Sequence, residues 1–278
     1  MEMNLFVFQI HTMDQPMSFL KFSNYLLTTV RIGLANTSSM KINNTGRLYL
    51  IPNVIGKIHP LEVLPIAVKK IIETLNCFIF EKEKAGRAFV KSISPNTNQN
   101  NLKIYLLNKY TSETNLAEMM TPLKKGVDIG LITDAGCPGI ADPGANIVAL
   151  AHTENIRVIP LVGPSSVLLA IMSSGLNGQS FSFNGYLPIE KLKRKKAIKL
   201  YEIRSIEQKQ TQVFIETPYR NNILLDELTK ILRPKTLLSV ACDITLPTEF
   251  IKTYYNEFWR INKVDLNKRP AIFSFLGS

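Results

Sequence analysis

Between a largely apolar run, Val127 to Ile132, and an apolar segment, Ala145 to Ala151, lies the string Thr133-Asp134-Ala135-Gly136-Cys137-Pro138-Gly139-Ile140-Ala141-Asp142-Pro143-Gly144. The run reads as a buried strand and the segment as a helix. One strand-to-helix turn therefore holds two acids, three glycines and two prolines. Glycine lets backbone approach a ligand closely, and proline stiffens the loop that does so. In an α/β protein, ligands bind at the carboxyl ends of such strands.

An α/β rhythm surrounds the loop. Leu48 to Pro52, Cys77 to Phe80, Lys103 to Leu107 and Arg157 to Pro160 read as further strands. Leu64, Val68, Ile71, Ile72 and Leu75 follow helical spacing, and Leu116 to Leu123 reads as a helix. Strands alternating with helices predict a parallel or mostly parallel sheet. After Gly163-Pro164 the pattern becomes richer in strands. Val167 to Met172 reads as a helix, whereas Gln179 to Phe183, Thr211 to Ile215, Thr236 to Ala241, Glu249 to Tyr255 and Ala271 to Leu276 read as strands. Ser94 to Asn101 is a short polar loop. A boundary near Leu161 to Pro164 divides an N-terminal α/β domain, residues 46–162, from a C-terminal α/β domain, residues 163–278.

The loop closely resembles the Asp-Ala-Gly-x-Pro-x-Ile-x-Asp-Pro-Gly loop of the tetrapyrrole methylase superfamily, the class III S-adenosylmethionine methyltransferases. More narrowly, it resembles the branch that methylates ribose 2′-hydroxyls of small-subunit ribosomal RNA. Leu48-Tyr49-Leu50-Ile51-Pro52, Pro160-Leu161-Val162-Gly163-Pro164-Ser165-Ser166, Phe183-Asn184-Gly185-Tyr186-Leu187-Pro188 and Phe214-Ile215-Glu216-Thr217-Pro218-Tyr219-Arg220 agree in order. The resemblance runs from about Gly46 onward. It implies two α/β domains with the methyl donor in a cleft between them, usually as a homodimer.

Residues 1–45 lie outside the resemblance and show no sustained period. Similar proteins begin just before the first strand, where Met40 sits. The expectation is that residues 1–39 derive from an upstream start and that the extension does not fold.

By the same resemblance, Pro52, Asp134, Ala135, Gly136, Ser165, Ser166, Val167, Ile215, Ala241, Pro270 and Ala271 hold the donor. From the residues themselves, Asp134 or Asp142 can accept from the donor or face the acceptor, and Asp142 before Pro143 has the favoured alternative of capping the helix. Gly163-Pro164-Ser165-Ser166 opens a helix with free amides and a capping serine. No Gly-x-Gly-x-Gly turn follows an early strand, which disfavours the common Rossmann-type methyltransferase.

Transfer to a ribose hydroxyl requires alignment and a proton acceptor. The candidates for that base are Lys109, Asp134, Glu216 and Asp243. Three segments depart from the family's pattern. Tyr110 stands where relatives often carry His, and Cys242-Asp243 stands where they carry Arg-Glu. The Glu-Asp-Thr-Arg string is absent near Glu81, although Arg87 remains.

The 278 residues carry 33 Lys and Arg against 22 Asp and Glu, a net charge of +11. Only three of those bases and two of those acids fall in the first 45 residues, so the excess belongs to the remainder. Such a surface suits RNA or the small ribosomal subunit. Lys191, Lys193, Arg194, Lys195, Lys196 and Lys199 cluster without an acid, on a helix whose Ala197, Leu200 and Tyr201 form a weak apolar stripe. Lys191, Lys193, Arg194, Lys195 and Lys196, with Arg220 and Arg87, are the candidate RNA contacts. Arg220 has an equal alternative, an internal pair with Glu216.

No apolar run reaches the ~18 residues of a membrane span. Cys77, Cys137 and Cys242 are few and scattered, as in a reducing cytoplasm. Their spacing and that of His11, His59 and His152 suggest no metal site. Two other functions fit less well: methylation of a tetrapyrrole or other small molecule, and RNA binding by an inactive relative.

Overall fold

The computed structural model describes residues 45–108 and 110–278. The expectations for residues 1–44 and for Lys109 lie outside the described residues.

Two five-stranded sheets organise the described chain. The first contains β1 (Arg47–Ile51), β2 (Cys77–Phe80), β3 (Lys103–Leu106), β4 (Ile129–Ile132) and β5 (Arg157–Pro160). Their order is β3-β2-β4-β1-β5, and every pairing is parallel. Every residue of β2 and β4 is buried, because parallel strands are covered on both faces. Alternate side chains enter opposite layers. Tyr49, Ile51, Phe78 and Phe80 pack with α1 (Ile66–Thr74) and α2 (Glu83–Ile93). Leu48, Ile79 and Leu131 pack with α3 (Glu113–Lys124) and α4 (Gly144–Thr153). β4 is closely packed at Gly130, where a Cβ would lie 2.7 Å from Ile51 Cδ1 and 2.9 Å from Phe78 Cδ1.

The second sheet contains β6 (Phe181–Tyr186), β7 (Thr211–Ile215), β8 (Leu237–Cys242), β9 (Phe250–Tyr255) and β10 (Ala271–Leu276). The order is β6-β7-β10-β8-β9. Only β6 and β7 are parallel; the remaining pairs are antiparallel. One face packs on Val167, Ala170 and Ile171 of α5 (Ser166–Ser174). The other meets Ile198 of α6 (Lys191–Gln208) and Leu224 and Leu228 of α7 (Asn221–Ile231). Trp259, in the short α8 (Asn256–Trp259), closes this core and donates from Nε1 to the Leu238 carbonyl at 2.8 Å.

The mixed α/β class and the two sheets agree with the sequence reading, with local exceptions. Helix α2 was not expected from the sequence: its glycine and charges obscure the apolar period, and Gly86 is where the Phe80 ring lies against the helix. Strand β6 runs on through Asn184-Gly185, because a register irregularity absorbs the left-handed Gly185 (φ 63°). The inner face of α6 is polar as well as apolar, with Arg194, Ile198, Glu202 and Ser205 buried. Leu200, expected in the packed stripe, is exposed instead.

Candidate active site

The carboxyl ends of β1, β2 and β4 support the loop of residues 133–144. Asn53, just after β1, fastens it. Its backbone N–H donates to the Gly136 carbonyl at 2.8 Å, and its side-chain amide donates to the carbonyls of Thr133 (2.9 Å) and Asp134 (3.2 Å). Glu81, just after β2, accepts from the Asp134 amide at 2.9 Å. Gly136 adopts φ 71°, which favours glycine. Asp142 caps as expected: its Oδ1 accepts from the amides of Gly139 (2.8 Å) and Gly144 (2.7 Å) at the start of α4. Its Oδ2 is buried without a partner among the described residues.

A cavity of about 370 Å³ opens above this loop, with the second sheet as its far wall. Asp134, Ala135 and Gly136 form its floor, joined by Ser165, Ser166 and Val167 at the start of α5. Ile215, Ala241, Pro270 and Ala271 face them from the second sheet. The structure thus brings together every residue assigned to the donor except Pro52. That proline packs against Gly163, where a Cβ would sit 2.2 Å from its ring. Ser165 is the N-cap of α5, and its hydroxyl accepts from the Leu168 amide.

The carboxylate candidates for the base differ in their surroundings. Asp243 does not line the cavity; its Oδ2 accepts from Arg269 Nε at 2.7 Å and from the Thr248 hydroxyl at 2.9 Å. Glu216 lines the cavity but is occupied, with Oε1 accepting from the Thr217 amide (2.7 Å) and Oε2 paired to Arg220 (3.0 Å). Of the two alternatives for Arg220, the internal pair is the one present. Asp134 pairs through Oδ2 with Lys82, and its Oδ1 has no partner among the described residues. Hydrogen bonding to Asp134 raises the Lys82 pKa, so that ammonium stays charged at neutral pH. Burial raises the Cys137 pKa, and its thiol lies 3.4 Å from the Pro164 carbonyl, between the two loops.

The basic residues do not form one set. Lys191, Lys193, Lys195 and Lys196 are exposed on α6. Arg194 is withdrawn from them: only 6% exposed, it pairs with Glu227 on α7 and donates to the Pro188 and Ile189 carbonyls. Its place among the RNA contacts is therefore corrected to a structural one, because the i, i+4 period that buries Ile198 also turns Arg194 inward. Arg87 ties α2 to the turn at Gln99, donating to that carbonyl at 2.6 Å, and does not line the cavity.

Sequence reasoning did not place Glu81, Lys82, Ile55, Phe183, Tyr186 or Ile244 at the site. The position of Glu81 directly after an all-apolar parallel strand was the available signal for the first two. Ile55, in the loop after β1, carries the same signal, whereas Phe183, Tyr186 and Ile244 depend on how the second sheet is laid over the loop.

No protein-family model matches the chain. It is 30% identical over 213 residues to ribosomal RNA small subunit methyltransferase I of Buchnera aphidicola subsp. Schizaphis graminum, covering 76% of this chain and 70% of that protein. Its identity to the protein of the same name from Halalkalibacterium halodurans is 29% over 218 residues, covering 78% and 68%. Among solved structures, the native uroporphyrin III C-methyl transferase of Thermus thermophilus superposes with TM-score 0.53 at 17% identity, covering 83% of this chain and 97% of that one. The same enzyme complexed with S-adenyl homocysteine superposes with TM-score 0.51 at 16% identity, covering 83% and 97%. The fold is that of these methyltransferases, and the chain belongs to the family of ribosomal RNA small subunit methyltransferase I.

Proposed function

We propose that the protein is an S-adenosylmethionine-dependent methyltransferase that modifies a ribose 2′-hydroxyl in the RNA of the small ribosomal subunit. The observation that carries this reading is the convergence of residues from both sheets on one cavity, whose volume falls within the range of about 300–1,000 Å³ typical of ligand sites.

The residues fit the donor. Asp142 Oδ2 is a buried acceptor left over for a ligand donor group. Asp134 and Glu81 offer further acceptors, and Ile215, Ala241 and Ile272 offer apolar surface. Ala135 and Gly136 would hold the donor through backbone, with Ser165, Ser166 and Val167 beside them. Bound S-adenosylmethionine supplies a sulfonium methyl that needs no further activation. Asp134 would take the hydroxyl proton on Oδ1, which is left without a partner among the described residues, while Lys82 holds the other oxygen and balances its charge. The lysines of α6 supply sequence-independent attraction for the phosphate backbone.

We take Leu161 to Pro164 as the boundary between the two halves, since all strands of the first sheet precede it and those of the second follow it. The homodimer expected from the resemblance has apolar surface available in Leu168 and Met172, exposed one turn apart on α5. We place the protein in the cytoplasm, where Cys77, Cys137 and Cys242, all unpaired, stay reduced.

Methyl transfer from labelled S-adenosylmethionine to small subunits lacking their native modifications tests this reading. Label in a 2′-O-methyl nucleoside supports it. Label on a base overturns the acceptor atom. Donor binding with no label in RNA turns the reading toward a small-molecule acceptor.

A further inference from the structure

Strands β6 and β7, the parallel pair of the second sheet, end side by side, with Tyr186 opposite Ile215. Tyr186 closes β6 and lines the cavity, yet is 58% exposed. The turn leaving β7 passes through Pro218, which lines the cavity, to Tyr219, which is 71% exposed. Adjacent strands lie ~4.8 Å apart, so Tyr186 at the end of β6 and the turn carrying Tyr219, four residues beyond the end of β7, leave the sheet at the same edge. Among the described residues, neither ring stacks on an aromatic or a cation, and neither hydroxyl has a hydrogen-bond partner. They do not brace the fold.

Cations stand on both sides. Helix α6, with Lys191, Lys193, Lys195 and Lys196, begins five residues after Tyr186. On the other side the Lys268 amide donates to the Pro218 carbonyl at 3.0 Å, and that lysine is exposed. Bare aromatic rings flanked by lysines are the surface that binds an unpaired nucleotide, with rings stacking on bases and ammonium groups meeting phosphates. A duplex buries its base faces and cannot use such rings.

Resting on the function proposed above, we propose that Tyr186 and Tyr219 form the platform on which the base of the acceptor nucleotide stacks, so that the RNA is taken as an unpaired nucleotide rather than as a helix. The platform positions the ribose over the cavity and takes no part in the chemistry.

The experiment compares wild-type protein with Tyr186→Ala, Tyr219→Ala, Tyr186→Phe and Tyr219→Phe. Methyl transfer to unmodified small subunits gives KM and kcat. Calorimetry gives donor affinity, and light scattering gives the oligomeric state. Each alanine should raise KM about 5- to 150-fold, the size of one base stack removed. Each phenylalanine should restore it, and donor affinity for Tyr219→Ala should stay at the wild-type value. Unchanged KM in both alanine variants overturns the platform. So does a rise in KM matched by dissociation of an oligomer, which would make the rings an interface between copies. Wild-type protein that methylates no RNA removes the parent reading and this one with it; active wild-type with indifferent tyrosines removes only this one.

Discussion

The Arg194 guanidinium and the Glu227 carboxylate meet face to face between α6 and α7, with Arg194 Nη2 donating to Glu227 Oε1 at 2.8 Å and Nε donating to the other oxygen. The same guanidinium donates to the Ile189 carbonyl at 2.6 Å and so fixes the loop between β6 and α6. Arg194→Ala leaves a partly buried carboxylate without its partner and should cost about 1–3 kcal/mol in thermal unfolding. The pair also sets a pH dependence. Hydrogen bonding to Arg194 lowers the Glu227 pKa. The stability this contributes is therefore complete above the unfolded value of about 4.3 and is lost as pH falls through the folded value. Arg194→Gln should flatten that acid limb, and melting curves between neutral and acid pH would reveal it.

Charge reversal at Lys193, Lys195 and Lys196 should weaken RNA binding and leave donor binding alone. Each phosphate that the variant no longer neutralises should reduce the slope of log affinity against log salt by about 0.7 for single-stranded RNA. Equal affinity for the triple variant and wild type at low salt would show that α6 faces away from RNA.

Asn53 acts on the donor loop without lining the cavity. Asn53→Ala removes the donors to the Thr133 and Asp134 carbonyls, at about 1–3 kcal/mol if these remain buried. Donor affinity should fall with stability, as calorimetry alongside a melting curve would measure. A large loss of stability with full donor affinity would separate the loop from the ligand.

Asp134→Asn keeps the backbone hydrogen bonds to Asn53 and Glu81 but removes the proton acceptor. Turnover should fall about 100- to 10,000-fold, with donor affinity changed only a few-fold. Wild-type turnover in this variant would exclude Asp134 as the base.

Two glycines give a steric contrast. Gly163→Ala places a Cβ 2.2 Å from the Pro52 ring and should cost about 1–3 kcal/mol. Gly178→Ala meets nothing nearer than Ile171 Cγ2 at 3.8 Å and should stay within about 0.5 kcal/mol of wild type. Parallel thermal melts decide it; equal effects would mean the 161–165 loop yields more easily than its packing implies.

What the sequence disclosed follows from how local each signal is. Strands β2, β5, β7 and β10 match their expected bounds because each is a short run between turn residues. The loop from Asp134 to Gly144 could be placed because its glycines, prolines and capping acid act within a few residues of one another. Helix α2 escaped because its burial depends on Phe80 lying over Gly86, an approach that no period records. Arg194 looked like one of six surface cations because composition does not show which way a helix face turns. Tyr186 fell outside the strand expected to end at Phe183, because the Gly185 irregularity that extends β6 is a property of its pairing with β7.

Strand β10 lies between β7 and β8 although it follows both in the chain, and this sets an order of assembly during synthesis. The first sheet has all its strands once Pro160 is made. The second remains in two pieces, β6-β7 and β8-β9, until residues 271–276 arrive to join them. Pro270 and Ala271 belong both to that late arrival and to the cavity wall. A growing chain thus carries a floor for the donor long before it carries a wall, and the site is among the last things the protein acquires.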